Sequence, residues 1–572
     1  MTLRTLSIAK FSRMKNLRLQ ALALLALTAF LFWWRLGLLG LIDPDETFYA
    51  QTTREMVQAN DWLTPRIFDA PQFEKPIMFY WETMVAQKIF GDNELAARAP
   101  SALFATALVF LVWIFGRRVL GERAGFLAAV IFATGMLNVF MARLMLTDIS
   151  LAFFVTAALY GLWMAAHDEK HRNRWVIFQF VMSALATLTK GPLGVLLPAF
   201  GGLAYLRLTK TPSPLRGRGL WIGLALWVLI AVPWYAWTLA GSNGAYFWEE
   251  FFYRDNWLRF ITAEHPGMNR IAGVNVSGVH FYPEMLLLGM LPWMPLALSA
   301  MVRGWRMARE SRGVLFVLCA LVPSLVFLTA AQSKLPSYGF FLYPPFALLM
   351  GYVLDRWLEA GLVGRGEKTY AGALAVVQAA AVVVAPLVKA EHREALPYAA
   401  IISVPLGAAA VLLLLGRMRA WAITSVVASV TIITVAFTGL APVLEARVSS
   451  RTIGEAIKSY RRPGEPVLTV KFMVRAIAYY NHEAPAAVIH GNAQPWFSPH
   501  PVKVLVSSEE NGYAGLADFV AQHGSAIIAA QPVELERITA PGSRFPGRCE
   551  LLLKTGDRVL FRVTMPPKVA AN

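Results

Sequence analysis

Cysteine is nearly absent: Cys319 and Cys549 are the only two in 572 residues. They form no zinc-type spacing. Cys319 falls inside a long apolar run and Cys549 in the tail, which argues against a structural disulfide. Charge is also scarce, with Asp, Glu, Lys and Arg together making only 16% of the chain. The loops between apolar runs carry no nucleotide-binding motif, and the tail has neither a glycine-rich phosphate loop nor a nucleophile elbow. These absences exclude a disulfide-stapled secreted fold, a zinc module and a nucleotide-driven enzyme of the usual kinds.

Apolar residues are what the chain has in excess. They make 56% of it, and mean hydropathy is +0.49. Runs near the ~20 residues that a bilayer core demands recur from Leu19 to about Leu440. Hydropathy predicts about thirteen membrane-spanning helices. They lie near 19–41, 99–116, 124–140, 148–166, 175–189, 192–207, 219–240, 283–302, 313–331, 338–354, 370–389, 397–416 and 420–441. Arg4, Lys10, Arg13, Lys15 and Arg18 precede the first run, the pattern of a signal anchor.

The net charge of +17 would suit a nucleic-acid partner, but its distribution does not. With the N-terminus placed in the cytoplasm, the inward loops collect the cations. Arg117, Arg118 and Arg123 lie in the first, Lys170, Arg172 and Arg174 in the second, and Arg303, Arg306, Arg309 and Arg312 in the fourth. The positive-inside bias explains that pattern without a polyanion, so no nucleic acid is expected as a partner. An odd number of spans then puts the tail outside. Residues 1–441 are expected to form the membrane domain and 442–572 a soluble α/β domain. In the tail, strands are predicted near 466–472, 487–490, 502–506, 526–530 and 559–563, with helices near 453–459, 473–481 and 514–523 between them.

The outward segments gather chemistry at one face. The long loop 42–98 opens with Asp43-Pro44-Asp45-Glu46 and later holds Glu74 and Lys75. Arg143 and Asp148 flank a short turn, and Lys190 sits between two spans with almost no loop. Arg254, Arg259, His265 and Arg270 occupy the loop 241–282, and Lys334, Tyr338 and Tyr343 lie near the start of the tenth span. Ionisable groups at a bilayer edge are costly unless paired or used. Several cations there suit a phosphate, and a nearby carboxylate suits an acceptor. An interfacial phosphate served by no nucleotide motif points to a lipid phosphate. Each residue also has a plain reading: Lys190 as a snorkelling lysine, Tyr338 and Tyr343 as members of an aromatic belt, His265 as an ordinary loop residue. Glu74 and His265 together could offer carboxylate and imidazole to a divalent metal, though nothing in the sequence requires a cofactor.

The strings themselves are familiar in their order. LIDPDETFYA at 41–50, FEKPIMFYW at 73–81, ARAPSAL at 97–103 and MARLMLTDISLAF at 141–153 are followed by LTKGPLG at 188–194, FYRDNWLRF at 252–260 and SKLPSYGFFLYPPFAL at 333–348. Together they resemble the protein O-mannosyltransferase-like superfamily of membrane glycosyltransferases, and within it the lipid A aminoarabinose transferases. The likeness covers about the first 350 residues.

That resemblance implies a GT-C fold in the bacterial inner membrane, with site and tail on the periplasmic side and a monomeric state. It implies an undecaprenyl-phosphate-linked aminoarabinose as donor, lipid A as acceptor, and membrane lipids around both. Asp45, with Glu46 beside it, matches the central acid of the family, Asp148 the second acid, and Lys75 the lysine of the Glu-Lys-Pro string. If the acceptor is a phosphate, Asp45 orients it or stabilises charge at the sugar; if it is a hydroxyl, Asp45 is the general base. Lys75, Arg254, Arg259, Arg270 and Lys334 are then candidates to hold the leaving lipid phosphate. Arg143, Lys190, Tyr338 and Tyr343 complete the candidate substrate-binding set. Two rivals stand beside this reading. One is a polyprenyl-phosphate-sugar transferase acting on protein or another glycan. The other, a transporter or flippase, is disfavoured because no internal repeat stands out and the polar residues keep to one face.

Overall fold

The structure, a computed structural model, describes residues 3–262, 270–271, 274–275, 278–361, 364–388, 395–490, 502–508, 513–541 and 543–566. It comprises two compact units. The first contains Met1–Arg35, Glu74–Phe79 and Ala99–Gly439, and the second Leu36–Phe73, Tyr80–Arg98 and Leu440–Asn572.

The first unit is helical. Among the described residues nine helices are long and apolar enough to cross a membrane, or ten if one bent pair counts as a span. The other segments of the thirteen expected from hydropathy depart from that length and apolarity for local reasons. The helix Arg172–Lys190 carries Arg172, Arg174 and Lys190 and falls short in apolarity, and Leu193–Thr209 has only 17 residues. The run expected at 283–302 is interrupted around Pro292, leaving Phe281–Leu288 and Met294–Met307. Pro292 lacks the N–H that would continue a helix.

Two broken helices satisfy each other. Glu122–Thr134 and Met136–Ala142 meet at a 65° bend at Gly135. In an unbroken helix the Met136 N–H would serve the Phe132 carbonyl. Here Met136 N–H donates to the Leu291 carbonyl and Leu137 N–H to that of Gly289, each at 2.9 Å. The freed Phe132 carbonyl accepts from Asn138 Nδ2 at 2.8 Å. Hydrocarbon offers no water to such groups, so a break persists where protein re-satisfies them. Close packing needs small residues: a Cβ on Gly125 would lie 2.3 Å from the Arg117 nitrogen, so this antiparallel crossing admits only glycine there.

The second unit holds a six-stranded sheet. Its strands are β1 (Val467–Val470), β2 (Ala487–His490), β3 (Lys503–Val506), β4 (Ser525–Ala530), β5 (Arg548–Thr555) and β6 (Arg558–Thr564), in the order β3-β2-β1-β4-β6-β5. The first four are parallel and the β5–β6 hairpin is antiparallel. β1 is buried along its whole length and β4 from Ala526 to Ala530, as expected of parallel strands covered on both faces. Five of the six strands coincide with the predicted ones; β5 was not foreseen.

The tail does not make this unit alone. Leu41 N–H donates to Tyr480 Oη at 2.7 Å, across 439 positions of sequence. Arg54 donates to the Tyr479 carbonyl at 2.5 Å, and its guanidinium lies 3.7 Å from the Tyr479 ring centroid. Most of the first loop, including the helix Asp45–Ala59, therefore folds with the tail.

Candidate active site

A cavity of about 360 Å³ lies in the helical unit. Its polar wall is built from Glu74, Lys75, Lys190, Asp255, Asn256, Arg259, Ser333 and Tyr338. Leu151, Leu193, Leu196, Phe260, Phe327 and Leu328 supply much of the apolar wall.

Lys190 ends the helix Arg172–Lys190, where a cation complements the helix dipole. Its Nζ donates to Asp148 Oδ1 at 2.6 Å and lies 4.8 Å from the Tyr338 ring centroid. Asp148 sits in the first turn of Thr147–His167, the favourable end for an acid. It does not line the cavity, and its bond to Lys190 is that of a positioning group. Gly191 follows at φ +67°, and a Cβ there would stand 2.6 Å from Phe251 Cζ. The tight turn that presents Lys190 needs glycine for both reasons.

Lys75 Nζ pairs with Asp255 Oδ2 at 2.6 Å, and Arg259 Nη1 with Asp255 Oδ1 at 2.8 Å. One carboxylate thus holds two cations on the cavity wall. Burial, the largest single influence, pulls the Lys75 ammonium down, but the Asp255 and Glu74 carboxylates and Tyr338 act together against it and leave the pKa above the ordinary lysine value. Lys75 is therefore a fixed positive charge at neutral pH. The turn after the helix Arg312–Ala330 is stitched to the same region: Gln332 N–H donates to the Phe260 carbonyl at 3.0 Å and Ser333 Oγ to that of Thr262 at 2.9 Å.

Asp255 is the residue the sequence reading missed. It stands among the arginines of FYRDNWLRF, and its i,i+4 spacing from Arg259 is the signal the sequence carries.

The other candidates fall elsewhere. Arg143 is buried, donates to the Leu31 and Trp34 carbonyls at 3.0 and 2.9 Å, and stacks on Phe437; it ties helix ends and does not line the cavity. Tyr343 Oη donates to the Met285 carbonyl at 2.5 Å and is also packed away from the cavity. Arg254 is half-exposed and meets Glu250 at 3.4 Å. Lys334, next to Ser333, donates to the Ala331 carbonyl. Arg270 lies on a two-residue strand, and His265 lies outside the described residues.

The acids of Asp43-Pro44-Asp45-Glu46 belong to the second unit, and their surroundings separate them. Glu46 is buried and forms a two-pronged pair with Arg98, at 2.9 and 2.6 Å. Arg98 also donates to the Leu39 and Gly40 carbonyls, so this pair pins the start of the loop. Asp43 is buried against Ser450 and Arg558. Asp45, in the first turn of Asp45–Ala59, is the exposed acid of the three.

Among the described residues no group of three or more His, Cys, Asp and Glu side chains is placed to hold a metal ion. Glu74 shares its cavity wall with Lys75 and Arg259, which are counter-charges to an anion rather than metal ligands.

Partly buried cations on the polar side and leucine and phenylalanine on the other suit a phosphate that carries a hydrocarbon chain. The comparisons with known proteins agree in class. The family model of the dolichyl-phosphate-mannose-protein mannosyltransferases matches residues 74–237. The fold is that of the GT-C membrane glycosyltransferases. The crystal structure of ArnT from Cupriavidus metallidurans bound to undecaprenyl phosphate superposes with a TM-score of 0.72 over 95% of this chain and 97% of that one, at 20% identity. The oligosaccharyltransferase AglB from Archaeoglobus fulgidus follows at 0.54, over 98% and 75%, at 13% identity.

Within that class the sequence is similar to the undecaprenyl phosphate-alpha-4-amino-4-deoxy-L-arabinose arabinosyl transferases. The Pseudomonas aeruginosa protein is 30% identical over 62% of this chain, and one from Pseudomonas fluorescens is 30% identical over 58%. The matched stretch spans 63% and 57% of those curated relatives.

Proposed function

We propose that this chain is a glycosyltransferase that moves a sugar from a polyprenyl phosphate to an acceptor. The specific reading is transfer of 4-amino-4-deoxy-L-arabinose from undecaprenyl phosphate to a phosphate of lipid A, on the periplasmic face of the bacterial inner membrane. The observation that carries it is the cavity in which Lys75, Lys190 and Arg259 face an apolar wall.

In this reaction the bond from the sugar C1 to the donor phosphate oxygen breaks, and a bond from C1 to an acceptor oxygen forms. The electron pair leaves with the polyprenyl phosphate, whose negative charge grows at the transition state. Lys75, Lys190 and Arg259 stabilise that charge, and Asp148 and Asp255 hold the cations in place beforehand. The acceptor phosphate is already ionised at neutral pH, so no strong base is required. Asp45 orients the acceptor or offsets positive charge developing at the sugar, an assignment supported by its exposure and by the resemblance of its motif.

The test is mass spectrometry of lipid A from cells with the gene, without it, and with Asp45→Asn. An aminoarabinose-sized addition found only with the intact protein supports the reading. Unchanged lipid A alongside an altered glycoprotein or another glycan would move the acceptor elsewhere and defeat the lipid A assignment.

A further inference from the structure

The helical unit holds a second cavity, of about 400 Å³, that the proposed sugar transfer does not use. Ile114, Arg117, Arg118, Glu122 and Tyr160 line it. Its place follows from two helices that run side by side. Phe104 meets Phe153 and Phe154, and further along Phe115 meets Tyr160. The helices Glu94–Val119 and Thr147–His167 therefore point the same way. Asp148, the partner of Lys190, sits in the first turn of the second helix. Tyr160 comes more than three turns later, about 18 Å along the axis. The cavity thus lies toward the end of the helices away from the transfer site. With that site on the periplasmic face, this end is cytoplasmic.

The lining suits a phosphodiester. Two guanidinium groups stand against one carboxylate, so the wall is net positive. Arg118 hydrogen-bonds the Tyr160 hydroxyl, which in accepting that bond keeps its own proton for a further acceptor. Arg117 meets Glu122 only at 3.8 Å and lies 5.1 Å from the Trp113 ring centroid. Its Nε is buried with no hydrogen-bond partner among the described residues, a donor that an acceptor would stabilise. The outer side of the same helix is apolar. Leu103, Phe110, Ile114 and Arg118 recur at helical spacing on one face. Leu103 and Ile114 are exposed and Phe110 is half-buried. Facing lipid, this row is a track for a hydrocarbon chain that ends at the Arg118 guanidinium, which selects a lipid over a free phosphate. The positive-inside bias accounts for two arginines at this end, but not for a cavity between them and a tyrosine hydroxyl.

We propose that this cavity seats the phosphodiester of a net anionic phospholipid, through Arg117, Arg118 and Tyr160, with an acyl chain along Leu103, Phe110 and Ile114. Basic pockets between membrane helices hold anionic headgroups by the same physics. The net positive lining favours phosphatidylglycerol over phosphatidylethanolamine, whose ammonium cancels its phosphate. The test is native mass spectrometry of the full-length protein, delipidated in detergent and given an equimolar mixture of those two lipids.

The wild-type protein is expected to hold its first phosphatidylglycerol in preference by about fivefold or more. In the doubly substituted Arg117→Gln, Arg118→Gln protein that affinity should fall about tenfold, and in Tyr160→Phe, which keeps every charge, about threefold. Phosphatidylethanolamine binding should stay unchanged in both. Arg306→Gln, Arg309→Gln removes equal charge from two exposed arginines of another basic turn and should bind phosphatidylglycerol as wild type does. Melting in lipid-free detergent shows which variants are folded, and Tyr160→Phe decides alone if the first arginine pair is not. No preference in the wild-type protein, wild-type affinity in Tyr160→Phe, or an equal fall in both arginine pairs would overturn the proposal. None of these results bears on the transferase reading, which rests on the other cavity.

Discussion

Asp45 and Glu46 are neighbours with opposite expected behaviour. Glu46 is buried and two-pronged with Arg98, so Glu46→Gln leaves a buried guanidinium without its counter-charge. Breaking such a pair typically costs about 3–5 kcal/mol, and the expected result is a clearly lowered melting temperature with activity lost through misfolding. Asp45 is exposed, so Asp45→Asn should leave melting within about 0.5 kcal/mol of wild type while transfer falls at least about a hundredfold. Paired melting curves and transfer assays decide the matter. A stable Glu46→Gln protein, or an active Asp45→Asn one, would reverse the division. The residue types were legible in the sequence: acids, lysines and arginines at one face. Their pairings were not, because Lys75 and Asp255 lie 180 positions apart and only the fold joins them.

At the scale of elements, hydropathy located helices well and misjudged their continuity. The segments near 124–140 and 283–302 read as plain spans because their apolar content is continuous, yet each is broken and each supplies what the other's break leaves open. Reciprocal backbone pairing of that kind leaves no local pattern. The turn between Lys190 and Leu193 was more transparent, since LTKGPLG places Gly191 and Pro192 where a helix must stop. Gly191→Ala tests how tightly that turn holds the site. A Cβ there combines an unfavourable positive φ with a 2.6 Å approach to Phe251. A cost of about 1–3 kcal/mol is expected, together with a several-fold loss of transfer as Lys190 is displaced. Unaltered melting and unaltered transfer would mean that the turn is slack.

At the scale of the whole molecule, the sequence divided the chain near residue 441, and the parallel strands of the tail were readable from short apolar runs spaced by helical patterns. It did not reveal that most of the first loop folds with the tail. Those contacts include single hydrogen bonds and ion pairs between segments more than 400 positions apart, such as Leu41 with Tyr480 and Asp43 with Arg558. Removing the tail after residue 445 should therefore do more than trim a soluble domain. It strips Ser450 and Arg558 from buried Asp43 and Tyr480 from the Leu41 backbone. The truncated protein is expected to insert in the membrane, to lose transfer, and to expose residues 45–59 to protease. Full activity and a protected loop after truncation would show that the loop folds without the tail.

The most direct measurement is the affinity of the purified protein for undecaprenyl phosphate in nanodiscs, compared between wild type, Lys75→Met and Lys190→Met. Each ammonium is held by a carboxylate at 2.6 Å on the wall of one cavity, and each should contribute a charge-assisted bond to the lipid phosphate. The expected result is about tenfold weaker binding for each variant, with the melting temperature largely kept in Lys75→Met, where Arg259 still pairs with Asp255, and lowered in Lys190→Met, where buried Asp148 loses its cation. Wild-type affinity in both variants would contradict the assignment of this cavity to the lipid-linked donor.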